Sequence, residues 1–357
     1  MPLSVRPVIA RLPAYVPGRP ATGGGVSYKL SSNENPYPPL PGVLAAVDQA
    51  CRQMNRYPDL ANSAISAAVA ERLGVPGEQV AFGTGSVAVL YQLLQAVCEP
   101  GDEVVYAWRS FEAYPIAVAI PGATGVAVPL DGGARHDLDA MLAAVGPATK
   151  AVLLCTPNNP TGPALGHEEV VRFVDAIPDS VLVVVDEAYV EFVTDPRAVR
   201  GLELLAGRPN VAVLRTFSKA YGLAGFRVGY CVAEASLAAA VRAVSLPFGV
   251  SISAQAAVLA SLAAADTLLQ RVDEVVKERD RLATGLRDVG HDVPAAEGNF
   301  VWLPAGPRTT AYAEEFLARG VTVRPYASGD AGDGVRITVG EPAANDLVLE
   351  VAAGLPR

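Results

Sequence analysis

Lys219 is the residue of this sequence with the clearest potential for covalent chemistry. It follows an apolar run in the segment VAVLRTFSKAYGLAGFRVGY, with the hydroxyl residues Thr216 and Ser218 beside it and Arg227 further along. A lysine that lies beside other cationic groups can lose its proton and become a nucleophile. Hydroxyl groups and a guanidinium suit the binding of a phosphate. The segment therefore predicts a reactive amine close to a phosphate site.

A second segment, QVAFGTGSVAVLYQLL, has the pattern of a strand, a glycine-rich turn and a helix. Glycine allows the backbone to approach a ligand closely, and the amino terminus of a helix favours an anion. We therefore predict a phosphate cradle at Thr84, Gly85 and Ser86. The letters GTGSVA also fit a dinucleotide-binding fingerprint, but the acidic residue that should end the next strand is missing.

Two further segments place polar side chains at the end of an apolar run. VLVVVDEAYVEF brings Asp186 to the end of a predicted strand, with Tyr189 three positions later, and LLCTPNNPTG places Asn159 in a turn. A carboxylate at a strand end can hold a cationic ring nitrogen, although an acid that caps the next helix is the alternative. Asn159 can donate to a ligand oxygen or simply form the turn.

The elements that must position these residues follow an α/β pattern. Consecutive apolar residues in AVLLC and VLVVVD indicate strands buried on both faces, as in a mainly parallel sheet sandwiched by helices. The carboxyl ends of such strands meet at one edge, so we expect the four segments to converge there. We predict an N-terminal arm over 1–40, a large domain over 41–245 and a smaller α+β domain over 246–357. A long helix is expected over 254–289.

Composition excludes several other classes of protein. The 357 residues carry a formal net charge of -9, which disfavours a general binder of nucleic acid or anionic membranes. The four cysteines and three histidines lack the spacing of a zinc site or a disulfide framework, so we expect no metal. The sequence has neither the apolar run of a signal peptide nor a stretch long enough to span a bilayer. We expect a cytoplasmic protein.

Seven motifs occur in a characteristic order along nearly the whole chain: SNENPYPP, RYPD, GTGS, NNPTG, DEAYVEF, TFSKAYGLAGFRVGY and VRITVG. In this order they resemble the fold-type I pyridoxal-phosphate aminotransferases. The resemblance is strongest to the branch that contains histidinol-phosphate aminotransferases and their aromatic-amino-acid relatives. It implies pyridoxal 5'-phosphate as the cofactor, and an amino acid and a 2-oxo acid as the substrates.

The resemblance also implies a role for each candidate residue. Lys219 would bind the cofactor covalently, Asp186 would pair with the ring nitrogen, and Asn159 and Tyr189 would reach the ring hydroxyl. The residues that would surround the phosphate are Thr84, Gly85, Ser86, Thr216, Ser218 and Arg227.

Two aromatic residues complete the cofactor site that the resemblance implies. Phe111 matches a position where relatives usually carry a tyrosine stacked on the cofactor ring, so stacking is kept and a phenol hydrogen bond is lost. Tyr57 in RYPD matches a residue that reaches the cofactor phosphate of the partner subunit. The second match implies a homodimer.

The sequence leaves two classes of amino donor open. Arg336 in VRITVG matches the clamp for a substrate carboxylate, and Arg324, Asn35 and Tyr15 are further candidates for substrate binding. The segments AEGNFVWLP, GVTVRPYASGD and GDGVRITVG look more like the aromatic (phenylalanine) aminotransferases, which favours phenylalanine, tyrosine and tryptophan. Histidinol phosphate stays open as the alternative, with Arg324 and Arg336 binding its phosphate.

Two other classes of protein remain as remote alternatives. A nicotinamide-dependent oxidoreductase would need the GTGSVA turn to hold a dinucleotide. A catalytically silent interaction protein would need Lys219 lost or blocked, and the lysine is present with its expected partners.

Overall fold

The computed structural model describes residues 3–10, 12, 27–329 and 332–356. The helices are α1 (Pro7–Ala10), α2 (Val43–Cys51), α3 (Ser63–Leu73), α4 (Ser86–Val97), α5 (Tyr114–Ala119), α6 (Leu138–Ala143), α7 (His167–Ala176), α8 (Ala235–Ala243), α9 (Ile252–Ala263), α10 (Ala265–Asp288), α11 (Thr309–Ala318) and α12 (Pro342–Ala353). The strands are β1 (Tyr28–Lys29), β2 (Val80–Gly83), β3 (Glu103–Trp108), β4 (Thr124–Pro129), β5 (Thr149–Cys155), β6 (Leu182–Asp186), β7 (Val211–Thr216), β8 (Gly229–Ala233), β9 (Phe300–Pro304), β10 (Val321–Thr322), β11 (Arg324–Tyr326) and β12 (Gly334–Thr338).

A seven-stranded sheet forms the centre of the larger part of the chain. Its order is β2-β8-β7-β6-β5-β3-β4, and every strand runs parallel to its neighbours except β8, which is antiparallel to β2 and β7. Along β5 and β6 alternate residues belong to two different apolar clusters, one on each face of the sheet. The predicted α/β class, with a mainly parallel sheet buried on both faces, is confirmed.

The carboxyl ends of four strands lie at the same edge of this sheet. Because two antiparallel pairings separate β2 from β7, β2 runs in the same direction as β7, β6 and β5. These strands end at Gly83, Thr216, Asp186 and Cys155. The predicted convergence of the four segments is therefore confirmed by the strand directions.

A second, antiparallel sheet in the order β11-β12-β9 faces that edge. In its register Arg324 on β11 lies directly opposite Arg336 on β12, so both side chains are on the same face of the sheet. The apolar cluster behind this sheet combines it with α10, α11 and α12. The predicted boundaries at residues 40 and 245 stay predictions.

The single helix predicted over 254–289 is wrong. The segment forms α9 and α10, which meet at Ala264 with a bend of 81°. Ala264 has φ -97° and ψ 32°, outside helical geometry, because α9 packs against α2 and α3 while α10 packs against α12 and β9. The helical pattern predicted both halves but not the tertiary contacts that separate them. Among the described residues no single helix is long and apolar enough to cross a bilayer, and only this bent pair passes that test jointly.

Gly229 joins the sheet to the turn before α4. A Cβ at this position would lie 2.2 Å from the backbone nitrogen of Ser86 and 2.7 Å from the carbonyl carbon of Gly85. Backbone atoms cannot move aside as a flexible side chain can, so β8 and the turn approach this closely only because residue 229 is glycine.

We expect Gly229→Ala to lower the stability of the protein by about 1–3 kcal/mol, because the added methyl group overpacks two backbone segments. The measurement is the thermal unfolding midpoint. Gly225→Ala is the matched control, since a Cβ there meets nothing within 4 Å. Equal midpoints for the two variants would contradict the expectation.

Candidate active site

A cavity of about 280 Å³ lies between the carboxyl edge of the large sheet and the antiparallel sheet. It gathers eleven of the predicted residues from across the chain. They are Ser86, Phe111, Asn159, Asp186, Tyr189, Thr216, Ser218, Lys219, Arg227, Arg324 and Arg336. Their roles stay predictions, but the cavity places them within reach of one ligand.

Lys219 reaches into the cavity from the loop after β7. Its Nζ donates to the carbonyl oxygens of Ser32 at 3.2 Å and Asn33 at 3.3 Å. Burial, and then the positive charges of Arg336 and Arg227, lower the pKa of Lys219 to about 7. The amine is therefore neutral for a large part of the time near neutral pH, as a nucleophile or a base must be.

Asp186 ends β6 and is almost fully buried. Its Oδ2 accepts a hydrogen bond from the hydroxyl of Tyr114 at 3.0 Å, whereas its Oδ1 has no side-chain partner among the described residues. Burial raises the pKa of Asp186 to about 6, and hydrogen bonds from Tyr114 and from the backbone of Ala188 act against that rise. The next helical element is the short 3-10 helix Val190–Phe192, whose N-cap residue is Tyr189, so Asp186 does not cap a helix. An unpartnered buried carboxylate oxygen suits a cationic N–H group.

Asn159 and Tyr189 are both held by hydrogen bonds at the cavity wall. The Oδ1 of Asn159 accepts from Nη1 of Arg336 at 2.5 Å, and its amide nitrogen can donate to a ligand oxygen. The Tyr189 hydroxyl accepts from Nδ2 of Asn33 at 2.9 Å, and the tyrosine ring lies 5.7 Å from Nζ of Lys219. Both side chains are therefore fixed before a ligand binds.

The predicted phosphate cradle surrounds the first turn of α4. Gly85 has φ +92°, and a Cβ there would lie 2.6 Å from Nη2 of Arg227. Arg227 itself donates to the carbonyl oxygen of Ala224 at 3.0 Å, and the hydroxyl of Thr216 accepts from the backbone nitrogen of Ser218 at 3.1 Å. A guanidinium against a helix amino terminus forms a site for an anion.

Arg336 is buried at the opposite wall. Besides Asn159, it donates to the hydroxyl of Tyr326 at 2.9 Å and to the carbonyl oxygen of Ser31 at 2.7 Å. Its Nε has no partner, and among the described residues no carboxylate lies within ion-pair distance. A buried guanidinium surrounded by neutral groups is suited to a carboxylate brought by a ligand.

Three of the predicted residues that the structure describes lie away from this cavity wall. Asn35 donates to the backbone oxygens of Lys219 and Ala220, so it holds the loop rather than lining the cavity. Thr84 lines a second cavity, and Tyr57 is 81% exposed. Tyr15 lies outside the described residues.

Three residues that sequence reasoning missed contribute to the site. Tyr114 supports Asp186, Glu112 contacts Arg324, and Asn33 holds Tyr189. Tyr114 and Glu112 follow Phe111 in the segment SFEAYP, so the acid and the second aromatic residue beside Phe111 were the available signal. Their partners are 72 and 212 positions away, which no local pattern reveals.

Comparison with known proteins agrees with this arrangement. The family described as aminotransferase class I and II matches residues 27–351. A protein of Streptomyces avermitilis named aromatic amino acid aminotransferase is 54% identical over 348 residues, which cover 97% of this chain and 96% of the relative. A protein of Thermobifida fusca with the same name is 50% identical over 357 residues, covering 100% of this chain and 98% of the relative.

A solved structure is also similar over almost the whole length. The crystal structure of histidinol-phosphate aminotransferase from Sinorhizobium meliloti in complex with pyridoxal-5'-phosphate superposes with a TM-score of 0.87 at 33% identity, covering 99% of this chain and 96% of that chain. The chain belongs to the class I and II aminotransferases, and the family predicted from the seven motifs is confirmed.

We expect Tyr114→Phe to raise the pKa of Asp186, because the hydrogen bond that favours the ionised carboxylate is lost. A hydrogen bond to a charged group contributes about 1.5–3 kcal/mol, which corresponds to about one to two pKa units. The carboxyl ¹³C chemical shift of Asp186 in the cofactor-free protein, followed against pH, measures this directly. Tyr106→Phe is the control, since the Tyr106 ring packs edge-to-face against Tyr114 with centroids 6.1 Å apart, and it is Tyr114 whose hydroxyl donates to Asp186. A midpoint that stays unchanged in Tyr114→Phe would contradict the role of this phenol.

Proposed function

We propose that this protein catalyses the pyridoxal-phosphate-dependent transfer of the amino group of aromatic L-amino acids to a 2-oxo acid such as 2-oxoglutarate. The observation that carries this proposal is the cavity in which a lysine of lowered pKa and an unpartnered buried carboxylate oxygen occur together. The names of the relatives from Streptomyces and Thermobifida support the aromatic substrate class.

The residues present fit pyridoxal phosphate. Among the residues that the structure describes, none bonds Oδ1 of Asp186, as a site for a protonated ring nitrogen requires, and Ser86, Thr216, Ser218 and Arg227 offer donors for the phosphate. When bound, the cofactor supplies an electron sink for the carbanion formed at the substrate carbon. The similar enzyme from Sinorhizobium was crystallised in complex with the same cofactor.

The side chains of this chain would carry out the remaining steps. Lys219 would hold the cofactor and, with its amine free, would move a proton as general base and acid. Asp186 would pair with the ring nitrogen and favour its protonated form, because an opposite charge favours the charged form of each partner. Phe111 would pack against the ring, and Asn159 and Tyr189 would bind the ring hydroxyl.

Arg336 would bind the carboxylate of the donor. Two parallel hydrogen bonds from a guanidinium fix the orientation of a carboxylate, and thereby which bond at the substrate carbon is broken. The aromatic ring of Tyr326 lines the cavity 5.7 Å from the guanidinium of Arg336, and Trp302 packs against this ring with the centroids 5.5 Å apart. Histidinol phosphate is the second candidate donor, because Arg324 lines the same cavity and the Sinorhizobium protein is named for that substrate.

A homodimer forms part of the proposal. Four residues form an exposed apolar face at the rim of the second cavity: Tyr57, Leu60, Leu246 and Phe248. Tyr57 stacks on Phe248 with the ring centroids 4.5 Å apart. Exposed apolar patches of this kind mark interaction sites, and a second subunit bound here would bring Tyr57 to the partner's phosphate site.

The cytoplasm is the proposed location of the protein. Its four cysteines would remain reduced there, as the described structure has them.

The donor is identified by titrating the cofactor-loaded protein with phenylalanine and, separately, with histidinol phosphate, without a 2-oxo acid. We expect phenylalanine to change the visible absorbance of the cofactor at a far lower concentration than histidinol phosphate. Histidinol phosphate acting at the lower concentration would contradict the aromatic donor.

The role of Lys219 is tested with Lys219→Ala. This variant should lose both transamination and the covalent attachment of the cofactor that borohydride reduction and mass spectrometry detect. Transamination retained by Lys219→Ala would contradict the proposal.

The dimer is tested with Leu246→Asp. A charge in the apolar face should yield monomers in sedimentation velocity and weaken cofactor binding, because Tyr57 of the partner would be lost from the phosphate site. Leu269→Asp is the matched control, since Leu269 is 53% exposed on α10 and does not line the second cavity. A Leu246→Asp protein that remains dimeric would place the subunit contact elsewhere.

A further inference from the structure

The two arginines of the antiparallel sheet differ in their partners although they lie directly opposite each other. Arg336 contacts an amide, a phenol and a backbone carbonyl, and no carboxylate of the described residues lies within ion-pair distance. Arg324 places Nη2 only 2.5 Å from Oε2 of Glu112. The guanidinium of Arg336 is therefore suited to bind a ligand anion, whereas that of Arg324 already forms an ion pair with a carboxylate of the protein.

Glu112 belongs to the wall of the cavity and is not a remote surface residue. It lines the same cavity as Arg324 and Lys219, and its side chain is 28% exposed. Its other oxygen lies 4.0 Å from Nη1 of Arg109, and Nη2 of Arg109 lies 3.6 Å from the buried carboxylate of Asp333. Within the part of the chain that the structure describes, Arg109 and Arg324 thus each lie within ion-pair distance of a carboxylate in this wall.

An uncharged aromatic ring and a phosphate group would meet this wall differently. The guanidinium carbons of Arg109 and Arg324 lie 5.5 Å and 5.6 Å from the centroid of the Tyr326 ring. This part of the cavity wall is therefore built from planar groups. An aromatic side chain can pack there without disturbing the ion pair. A phosphate monoester brings a charge of about -1.5 to -2, which in a partly desolvated site would be repelled by the Glu112 carboxylate.

We propose that Glu112 is a specificity-determining residue of this pocket. By holding Arg324 in an ion pair it excludes donors that carry a phosphate monoester, and it leaves Arg336 to bind the single carboxylate of an aromatic donor. This inference rests on the proposed aromatic transamination and names the residue that separates its substrate class from phosphorylated donors.

The test compares the donor half-reaction of the cofactor-loaded protein with histidinol phosphate and with phenylalanine. For Glu112→Gln we expect the ratio of the two apparent second-order rate constants to shift toward histidinol phosphate by about tenfold or more, because a repulsive charge is removed and the charge of Arg324 is no longer balanced by Glu112. The double variant Glu112→Gln with Arg324→Gln should lose this gain, since the positive charge of Arg324 is then absent.

Two controls separate a local effect from a general change in charge. Glu34→Gln removes the same charge from the same cavity, but Glu34 pairs with Lys29 at 2.9 Å instead of Arg324, so the ratio should shift much less. Calorimetric titration with phenyl phosphate, which cannot react, measures binding independently of turnover. The dissociation constant should fall in Glu112→Gln, and in Glu112→Ala as a second variant should the first prove unstable.

An unchanged ratio and dissociation constant in these variants would overturn the role of Glu112, as would a gain that survives in the double variant. The failure of the proposed function has a different signature, because the wild-type protein would then itself prefer histidinol phosphate. A wild type that prefers phenylalanine, combined with variants that do not shift, would refute only the inference about Glu112.

Discussion

The burial of two ionisable groups without a complementary partner is the constraint on which this structure depends. Lys219 and Asp186 lie at the same edge of an apolar sheet, and neither forms an ion pair with another described residue. Burying a charge without a partner is unfavourable, so the surrounding fold must hold both groups in place at the expense of stability. A ligand that brings an electrophile to the amine and a cationic N–H to the carboxylate would offset the unfavourable free energy of burying these two groups. Their burial is therefore explained by ligand binding and not by the stability of the fold.

The central sheet holds the backbones of Asp186 and Lys219 rigidly, and segments distant in sequence form the opposite wall of the cavity. Asp186 and Lys219 follow central strands whose residues are buried on both faces, so their backbones cannot shift independently. The segment before α2 completes the cavity from the other side, because Ser31 accepts from Arg336, and Asn33 bonds both Tyr189 and the hydroxyl of Thr338. A site assembled in this way couples the antiparallel sheet to the parallel sheet through these polar contacts and through the packing of Phe300 against Tyr189.

Sequence patterns predicted the parts of the site that are fixed by strand ends. Asp186, Asn159 and Lys219 each follow an apolar run, and parallel strand direction is enough to bring them together. The contacts that support these residues could not be predicted from such patterns. The pairing of Glu112 with Arg324 depends on how two sheets pack. Asn35, which was predicted to bind substrate, instead holds the Lys219 loop by a hydrogen bond to its backbone. The break at Ala264 was missed for the same reason, since both of its flanks have helical sequences and only their separate packing partners divide them.

The pKa values of the two buried groups also explain the choice of residue types. Burial lowers the pKa of the lysine to about 7 and raises that of the carboxylate to about 6, so each shift favours the neutral form of its group. Because a lysine is neutral above its pKa and a carboxylate is ionised above its own, both are in the required state above about pH 7. Arg336 and Arg227 extend that range at its acid end, because they lower the pKa of the amine that sets the limit, while the hydrogen bond from Tyr114 lowers the pKa of the carboxylate and keeps it ionised throughout the range. The same arginines that would bind the anionic ends of cofactor and substrate therefore also help to keep the attacking amine unprotonated.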